Sequence, residues 1–244
     1  MSQPLDDILP SWGQQQFVPA NDPFMAMALA RCAQMIAKHP EVSVPTATAI
    51  VKDGALVALE NGGQIHPSFC PRVALASSSG TEYEYCPDHC HSNNHGEARA
   101  ARALIAKGIS GDGAVAYLAG HYWACMPCWE ALKSAGVTNL RIAEDAKEKL
   151  KGKRHSPRAG MLPRPLAIQL VGSANGGNES LELALRRVGF EIVMQQSGVK
   201  PEVVLILSGE NMENVPGATV VDARTATDYK WVLTQLSRDL EKLF

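Results

Sequence analysis

His95-Gly96-Glu97-Ala98 and Cys125-Met126-Pro127-Cys128 open and close the stretch that decides how this chain of 244 residues is organised. One histidine and two cysteines can supply three ligands to a zinc ion and leave a fourth position for water, which is the arrangement of a catalytic zinc site. Water on such an ion loses a proton near neutral pH. We therefore predict His95, Cys125 and Cys128 as metal ligands, and Glu97 as the catalytic residue that moves protons.

Each motif stands at the start of a predicted helix. Apolar residues at helical spacing predict helices over residues 94–107 and 126–135, each followed by a glycine that stops it. The positive ends of both helices favour thiolate over thiol, so the two helix starts can converge on one ion. A redox-active pair is the alternative for Cys125 and Cys128. A redox-active pair does not explain why a His-x-Glu motif lies one βα unit earlier in the chain.

The pattern around these helices predicts an α/β domain. Asp53-Gly54 joins two strand-like runs and is a strong hairpin signal. Asn61-Gly62-Gly63 is expected to break the second of these strands into a loop. The predicted elements are a helix over 23–39, strands over 46–52 and 55–59, and strands over 115–119 and 140–143. Helix, hairpin, helix, strand, helix, strand is the order of an α/β sandwich with parallel strands toward its end.

Four parts are expected along the chain. Residues 1–21 are rich in Pro, Gln and Asp and are predicted to form an irregular N-terminal arm, and residues 22–150 the domain that carries both motifs. Residues 151–165 are predicted to be a linker. Residues 166–244 are predicted to form a small α/β domain of doubly wound type, with a strand at 166–171 and a closing helix at 225–243. The sequence does not indicate the role of this last domain.

Composition favours a small-molecule substrate. The net charge of −2 and pI near 6.4 lack the basic footprint that proteins tracking a nucleic-acid backbone usually carry, so a nucleic-acid partner is not expected. No apolar run approaches the roughly 18 residues of a membrane span, and the N-terminus lacks the features of a signal peptide. We therefore expect a cytoplasmic protein with no membrane partner, whose 6 cysteines are metal ligands or buried thiols.

Residues 22–145 resemble the cytidine and deoxycytidylate deaminase superfamily, and are most similar to its deoxycytidylate branch. The resemblance is carried by the helix and hairpin, Asn61, His95-Gly96-Glu97, Cys125-x-x-Cys128 and the helix running to Gly136. It implies a three-layer α/β/α fold, a catalytic Zn²⁺, and hydrolytic conversion of a deoxycytidylate-like nucleotide to its uracil counterpart with release of ammonia. It also implies that Asn61 hydrogen-bonds the substrate sugar and that the protein is a homo-oligomer.

The chain departs from the family pattern at two positions. The usual His-Ala-Glu is His-Gly-Glu here, because Gly96 replaces alanine, and the usual proline before the first cysteine is Ala124. Neither position is a ligand, but both alter the pocket beside the base. Deamination of another nucleoside or base (cytidine, guanine or a base in RNA) therefore remains an alternative. An inactive zinc-held binding or assembly module is another, although a purely structural site has no use for Glu97.

A second cluster of cysteines lies in the long stretch that precedes the helix predicted over residues 94–107. Cys70, Cys86 and Cys90 accompany several histidines there, and their spacing is tolerable for a structural zinc. A long loop without periodicity usually has a function or is held by something. These cysteines are predicted to bind a second metal ion together with one of the nearby histidines. The sequence does not indicate which histidine is the fourth ligand. The alternative is a set of reduced thiols packed in a polar loop.

Overall fold

The computed structural model describes residues 9–42, 44–62, 68–77, 82–85, 94–151, 153, 155–173, 178–194, 197–208 and 215–241. The chain divides into two compact units. The first combines residues 1–65 with 89–159, and the second combines 66–88 with 160–244. Residues 66–88, which the sequence-based division places in the first domain, therefore group with the C-terminal unit.

The described elements alternate between strands and helices along most of the chain. In chain order they are β1 (Gln14–Val18), α1 (Pro23–Lys38), β2 (Thr46–Lys52), β3 (Ala55–Gly62), α2 (Pro71–Ala74), α3 (Gly96–Ala106), β4 (Val115–Ala119), α4 (Met126–Ser134), β5 (Asn139–Ala143), α5 (Ala146–Leu150), β6 (Leu166–Val171), α6 (Asn178–Arg187), β7 (Phe190–Ile192), β8 (Val203–Ile206), β9 (Thr219–Asp222) and α7 (Tyr229–Leu240), with a 3₁₀ turn at Tyr83–Tyr85.

A mixed five-stranded sheet forms the centre of the first unit. Its strand order is β1-β5-β4-β2-β3. β2 pairs antiparallel with both β3 and β4, whereas β4 pairs parallel with β5 and β5 parallel with β1. The predicted hairpin and the predicted parallel strands toward the end of this domain are both confirmed.

Alternation of side chains along the strands shows which helix covers each face of this sheet. Thr48 of β2 faces α3, since a Cβ atom at Gly96 would lie 3.0 Å from Thr48 Oγ1. Ala49 pairs with Tyr117 on the opposite face, where Tyr117 contacts Phe24 of α1 with ring centroids 5.6 Å apart. Because α4 packs against α3, the unit has α1 on one side and α3 with α4 on the other. The predicted three-layer α/β/α fold is confirmed.

Two predictions about the strands were wrong. Residues 14–18 are not irregular, because their backbone pairs in parallel with β5 at the edge of the sheet. The alternation that reveals a half-buried strand is absent from this mostly exposed segment. Asn61 and Gly62 do not break the second strand, since they pair with Ala47 and Thr46 of β2. Gly63 lies outside the described residues.

The second unit is built on a four-stranded sheet in the order β7-β6-β8-β9, in which every pair is parallel. β6 covers the predicted residues. The closing helix is shorter than predicted, because the Asp228 side chain caps it by accepting hydrogen bonds from the backbone N–H groups of Lys230 and Trp231. The predicted small C-terminal α/β unit is confirmed. Within the described part of the chain, no helix combines the length and apolar character needed to cross a membrane.

Ser68, Phe69 and Tyr85 contact the closing helix of this unit. Ser68 Oγ donates to the Ser237 carbonyl at 2.9 Å, and Ser237 Oγ donates to the Phe69 carbonyl at 2.8 Å. Thr234 Oγ1 donates to the Tyr85 carbonyl at 2.9 Å. Because the two serines are fully buried, these bonds fix the segment on α7 and satisfy backbone groups that water does not reach.

Candidate metal centre

The three predicted ligands lie together at the starts of two helices. His95 is the N-cap of α3, Cys125 is the N-cap of α4, and Cys128 lies in the first turn of α4. His95 Nδ1 lies 3.7 Å from Cys125 Sγ and 3.4 Å from Cys128 Sγ. The ligand atoms of all three residues lie within 4.8 Å of one another. Tetrahedral zinc, with bonds of about 2.0 Å to nitrogen and about 2.3 Å to sulfur, holds those atoms about 3.5 Å apart. The donor set therefore fits zinc.

The local backbone explains why the side chains converge. His95 and Cys125 both have extended backbone angles, with ψ of 151° and 158°, and neither side chain makes a capping hydrogen bond. Neither side chain is therefore turned back onto its own helix, at the point where helical N–H groups are unpaired. Cys128 follows Cys125 by three residues, which places the two sulfurs on the same side of the first turn.

The two thiols have opposite pKa shifts. A hydrogen bond from Cys128 is the largest effect that holds the pKa of Cys125 well below its ordinary value, and His95 lowers it further. The same hydrogen bond raises the pKa of Cys128, and burial raises it again. The shared hydrogen bond thus favours negative charge within this pair of sulfurs. Because coordination requires thiolates, binding of a metal would release the proton that the pair retains.

Glu97 lies beside the ligands and is buried, with 4% of its surface exposed. Burial is the largest effect on its carboxyl group and raises its pKa, while the nearby His95 lowers it. The carboxyl group is in hydrogen-bond contact with the Cys128 side chain, so it faces the cluster. A carboxyl group whose pKa is raised holds a proton more readily than an exposed one, which suits it to take up and release protons.

Asn61 lies in β3 and directly precedes Gly62, which makes a close contact with α3. A Cβ atom at Gly62 would lie 2.0 Å from the backbone nitrogen of Gly96, so the end of β3 meets the first turn of α3. Asn61 Oδ1 is buried and has no hydrogen-bond partner in the part of the chain that the structure describes. Buried polar atoms in native proteins are nearly always paired, so this oxygen is a candidate to accept a hydrogen bond from a ligand.

The predicted second metal site falls largely outside the described residues. Cys70 is a buried thiol at the N-terminus of α2, in the second unit, and forms no disulfide. Cys86 and Cys90 lie outside the described residues, as do the nearby histidines at positions 66, 89 and 91. A second metal bound by Cys70, Cys86 and Cys90 therefore stays a prediction.

Two polar residues near the site were not predicted. Thr46 and Thr48 were assigned to a strand from their sequence, without any role, yet both hydroxyls lie next to the first turn of α3. Both are buried without a hydrogen-bond partner. The only signal in the sequence is a threonine at alternate positions of an otherwise apolar strand, which places both hydroxyls on one face.

Comparison with known proteins gives structural neighbours but no family. No family model matches the chain, and no curated protein matches it. Guanine deaminase from Bacillus subtilis is similar over 54% of this chain and 71% of its own, with 17% identity and a TM-score of 0.33. A tRNA A34 deaminase is similar over 53% of this chain and 82% of its own, with 21% identity and a TM-score of 0.30.

A third structural neighbour extends over more of the chain. The diaminohydroxyphosphoribosylaminopyrimidine deaminase/5-amino-6-(5-phosphoribosylamino)uracil reductase from Thermotoga maritima is similar over 90% of this chain and 77% of its own, with 13% identity and a TM-score of 0.31. With identities and TM-scores this low, an assignment of function depends on the residues of the candidate metal centre.

Proposed function

We propose that the protein is a zinc-dependent hydrolytic deaminase of a cytosine-type nucleotide, which converts a deoxycytidylate-like substrate to its uracil counterpart and ammonia. One observation carries the proposal. The ligand atoms of His95, Cys125 and Cys128 converge at the starts of two helices, with the buried carboxyl group of Glu97 beside them. The proposal assigns catalysis to residues 22–150 and leaves the contribution of residues 166–244 open.

Each residue of the centre has a role in the proposed reaction. His95, Cys125 and Cys128 would hold the zinc ion, which when bound supplies the nucleophile by bringing the pKa of its water close to 7. Glu97 would take up the proton of the attacking water and would deliver protons to N3 of the ring and to the departing amine. A C4–O bond forms, the C4–N bond breaks, and the amine leaves as ammonia. The burial of Glu97 keeps bulk water from competing for these protons.

The position of Glu97 supports an enzyme over a structural zinc module or a redox pair. A structural site closes its coordination with four protein ligands, and a buried carboxyl group beside the thiols would only add a desolvation cost to it. In a redox pair the same carboxyl group would have no electron-transfer role. Proton transfer in hydrolysis gives this costly group a function, because general acid–base help contributes about 10²–10⁴-fold to a rate.

The choice of substrate is supported by Asn61 and by the charge of the chain. Asn61 presents a buried oxygen without a partner, which we propose accepts a hydrogen bond from the sugar. The net charge of −2 supports a small nucleotide more than a nucleic acid. We also propose a homo-oligomer, which the resemblance to the deoxycytidylate branch implies, and a cytoplasmic location, where thiols such as those of the metal centre stay reduced.

Ammonia release from a panel of substrates tests the proposal. The zinc-loaded protein is incubated with deoxycytidylate, cytidylate, cytidine, guanine, guanosine and a short RNA, and a chelated sample serves as the control. We expect zinc-dependent release from deoxycytidylate at the highest kcat/KM. Higher kcat/KM with cytidine, guanine or the RNA would replace the proposed substrate. Absence of release from every compound by protein that holds zinc would refute the assignment as a deaminase of these substrates.

A further inference from the structure

The end of β3 and the start of α3 meet through two glycines. A Cβ atom at Gly62 would lie 2.0 Å from the Gly96 nitrogen and 2.7 Å from the Gly96 Cα. Ordinary contact for a Cβ atom begins at 3.4 Å, so any side chain at residue 62 would force the backbones apart by more than an ångström. The glycine at 62 is therefore required by close backbone approach, which is a known reason for glycine at a strand end.

Two threonines complete this contact from β2. A Cβ atom at Gly96 would lie 3.0 Å from Thr48 Oγ1 and 3.2 Å from Thr46 Oγ1. Both hydroxyls are buried and have no hydrogen-bond partner among the residues that the structure describes. An alanine at residue 96 would therefore be crowded by the Thr48 side chain, which would have to give by a few tenths of an ångström.

We infer that Gly62, Gly96 and Thr48 are positioning residues for the metal centre. Gly96 lies between His95, a metal ligand in the proposed function, and Glu97, the proposed proton carrier. The contact between Gly62 and Gly96 determines how closely the first turn of α3 approaches the sheet. Thr48 limits the size of the side chain that fits at residue 96. Glycine at 96 leaves room for the Thr48 hydroxyl, which a Cβ atom there would meet at 3.0 Å, and for the Gly62 nitrogen and Thr46 hydroxyl, which it would meet at 3.2 Å.

We therefore expect larger side chains at residues 62 and 96 to weaken metal binding. Displacing Gly96 by an ångström moves His95 Nδ1 relative to the two sulfurs, which belong to α4 and do not move with it. Residues that orient metal ligands typically change metal affinity by about 10–100-fold when they are altered. Misplacement by about 1 Å can also cost about 10²-fold in turnover.

Gly111 provides a matched control for Gly62. A Cβ atom at Gly111 would lie 2.2 Å from the Ala135 carbonyl oxygen, which is comparable crowding at the far end of α4. Neither glycine has a positive φ angle. Substitution of either by alanine should lower the stability of the first unit. Only Gly62→Ala should also weaken metal binding, because the contacts made by Gly111 involve no ligand.

The decisive measurement is the zinc dissociation constant of folded protein, obtained by competition with a chromogenic chelator. We expect Gly62→Ala to raise it about 10–100-fold and Gly111→Ala to leave it within about twofold of wild type. Equal zinc affinity in Gly62→Ala and wild type, or equal losses in both variants, would overturn the inference. The inference extends the proposed function, but this affinity does not depend on the substrate, so a failure of the deaminase proposal is seen separately in the ammonia assay.

A second pair of variants tests the role of Thr48 and serves if Gly62→Ala does not fold. Gly96→Ala is made in the wild type and in Thr48→Ala, and zinc affinity and kcat are compared within each background. We expect the alanine at 96 to weaken zinc binding and lower kcat in the presence of Thr48, and to cost less in its absence, as contacting residues are not additive. Equal costs in the two backgrounds, or no cost in either, would contradict a positioning role for Thr48.

Discussion

Replacement of Glu97 by glutamine separates chemistry from metal binding. The substitution preserves the shape of the side chain but removes its ability to carry protons. Loss of general acid–base help should lower kcat about 10²–10⁴-fold, equivalent to about 2.7–5.4 kcal/mol in the activation barrier. Zinc content should stay at the wild-type level, because His95, Cys125 and Cys128 supply the ligands. The assay is steady-state ammonia release together with elemental analysis of the same samples.

The burial of Glu97 adds an effect of opposite sign. The carboxyl group is 4% exposed and burial raises its pKa, so its ionised form opposes folding. Glutamine carries no charge, and the metal-free Glu97→Gln protein should therefore unfold at a higher temperature than the metal-free wild type.

Glu130 supplies the control for this substitution. It lies on the exposed surface of α4, so Glu130→Gln should retain turnover and zinc. A Glu97→Gln variant with wild-type kcat would refute the proposed proton carrier. Loss of zinc from that variant would show instead that the carboxylate is a ligand.

Three further substitutions test separate parts of the structure. Cys128→Ala should reduce zinc in elemental analysis to well below the wild-type content, and full retention would exclude this thiol as a ligand. Asn61→Ala should raise KM for the best nucleotide substrate more than it lowers kcat, and an unchanged KM would contradict its proposed sugar contact. Hydrogen bonds from Lys230 and Ser77 lower the pKa of Glu82, so this carboxylate stabilises the fold above its ordinary pKa of 4.5 and less as pH falls through its folded value. Wild type and Glu82→Gln should therefore differ in urea midpoint at neutral pH and converge in acid, and a constant difference would contradict this ion pair.

The sequence predicts those features whose signal is carried by neighbouring residues. The residue types and their spacing are sufficient to identify His95, Cys125 and Cys128 as candidate ligands. The two cysteines are three residues apart, and the first turn of a helix places such residues on one side. The sequence predicts β6 with its observed bounds, since a buried parallel strand is a nearly continuous apolar run, here interrupted by Gln169. These features need no knowledge of distant contacts.

Features that depend on distant partners were missed. β1 exists because its backbone pairs with β5, more than a hundred residues away, and its mostly exposed side chains carry no alternation. Gly62 suggested a break in the strand, because glycine is the commonest turn residue. In the structure it instead allows close approach to Gly96. Glycine occurs both in turns and at close backbone contacts, and only the contacting residue shows which of the two applies.

The grouping of residues 66–88 with the C-terminal unit has a consequence for how the chain can be divided. Phe69 is fully buried and contacts Phe190 with ring centroids 5.6 Å apart, and Arg187 donates a hydrogen bond to the Ala74 carbonyl. A cut after residue 150 would remove these partners and expose an apolar segment within the predicted deaminase domain. That segment joins β3, which carries Asn61, to α3, which carries Glu97. A cut after residue 150 would therefore delete a domain and also separate Phe69 and Ala74, which lie in the chain between β3 and α3, from their partners Phe190 and Arg187.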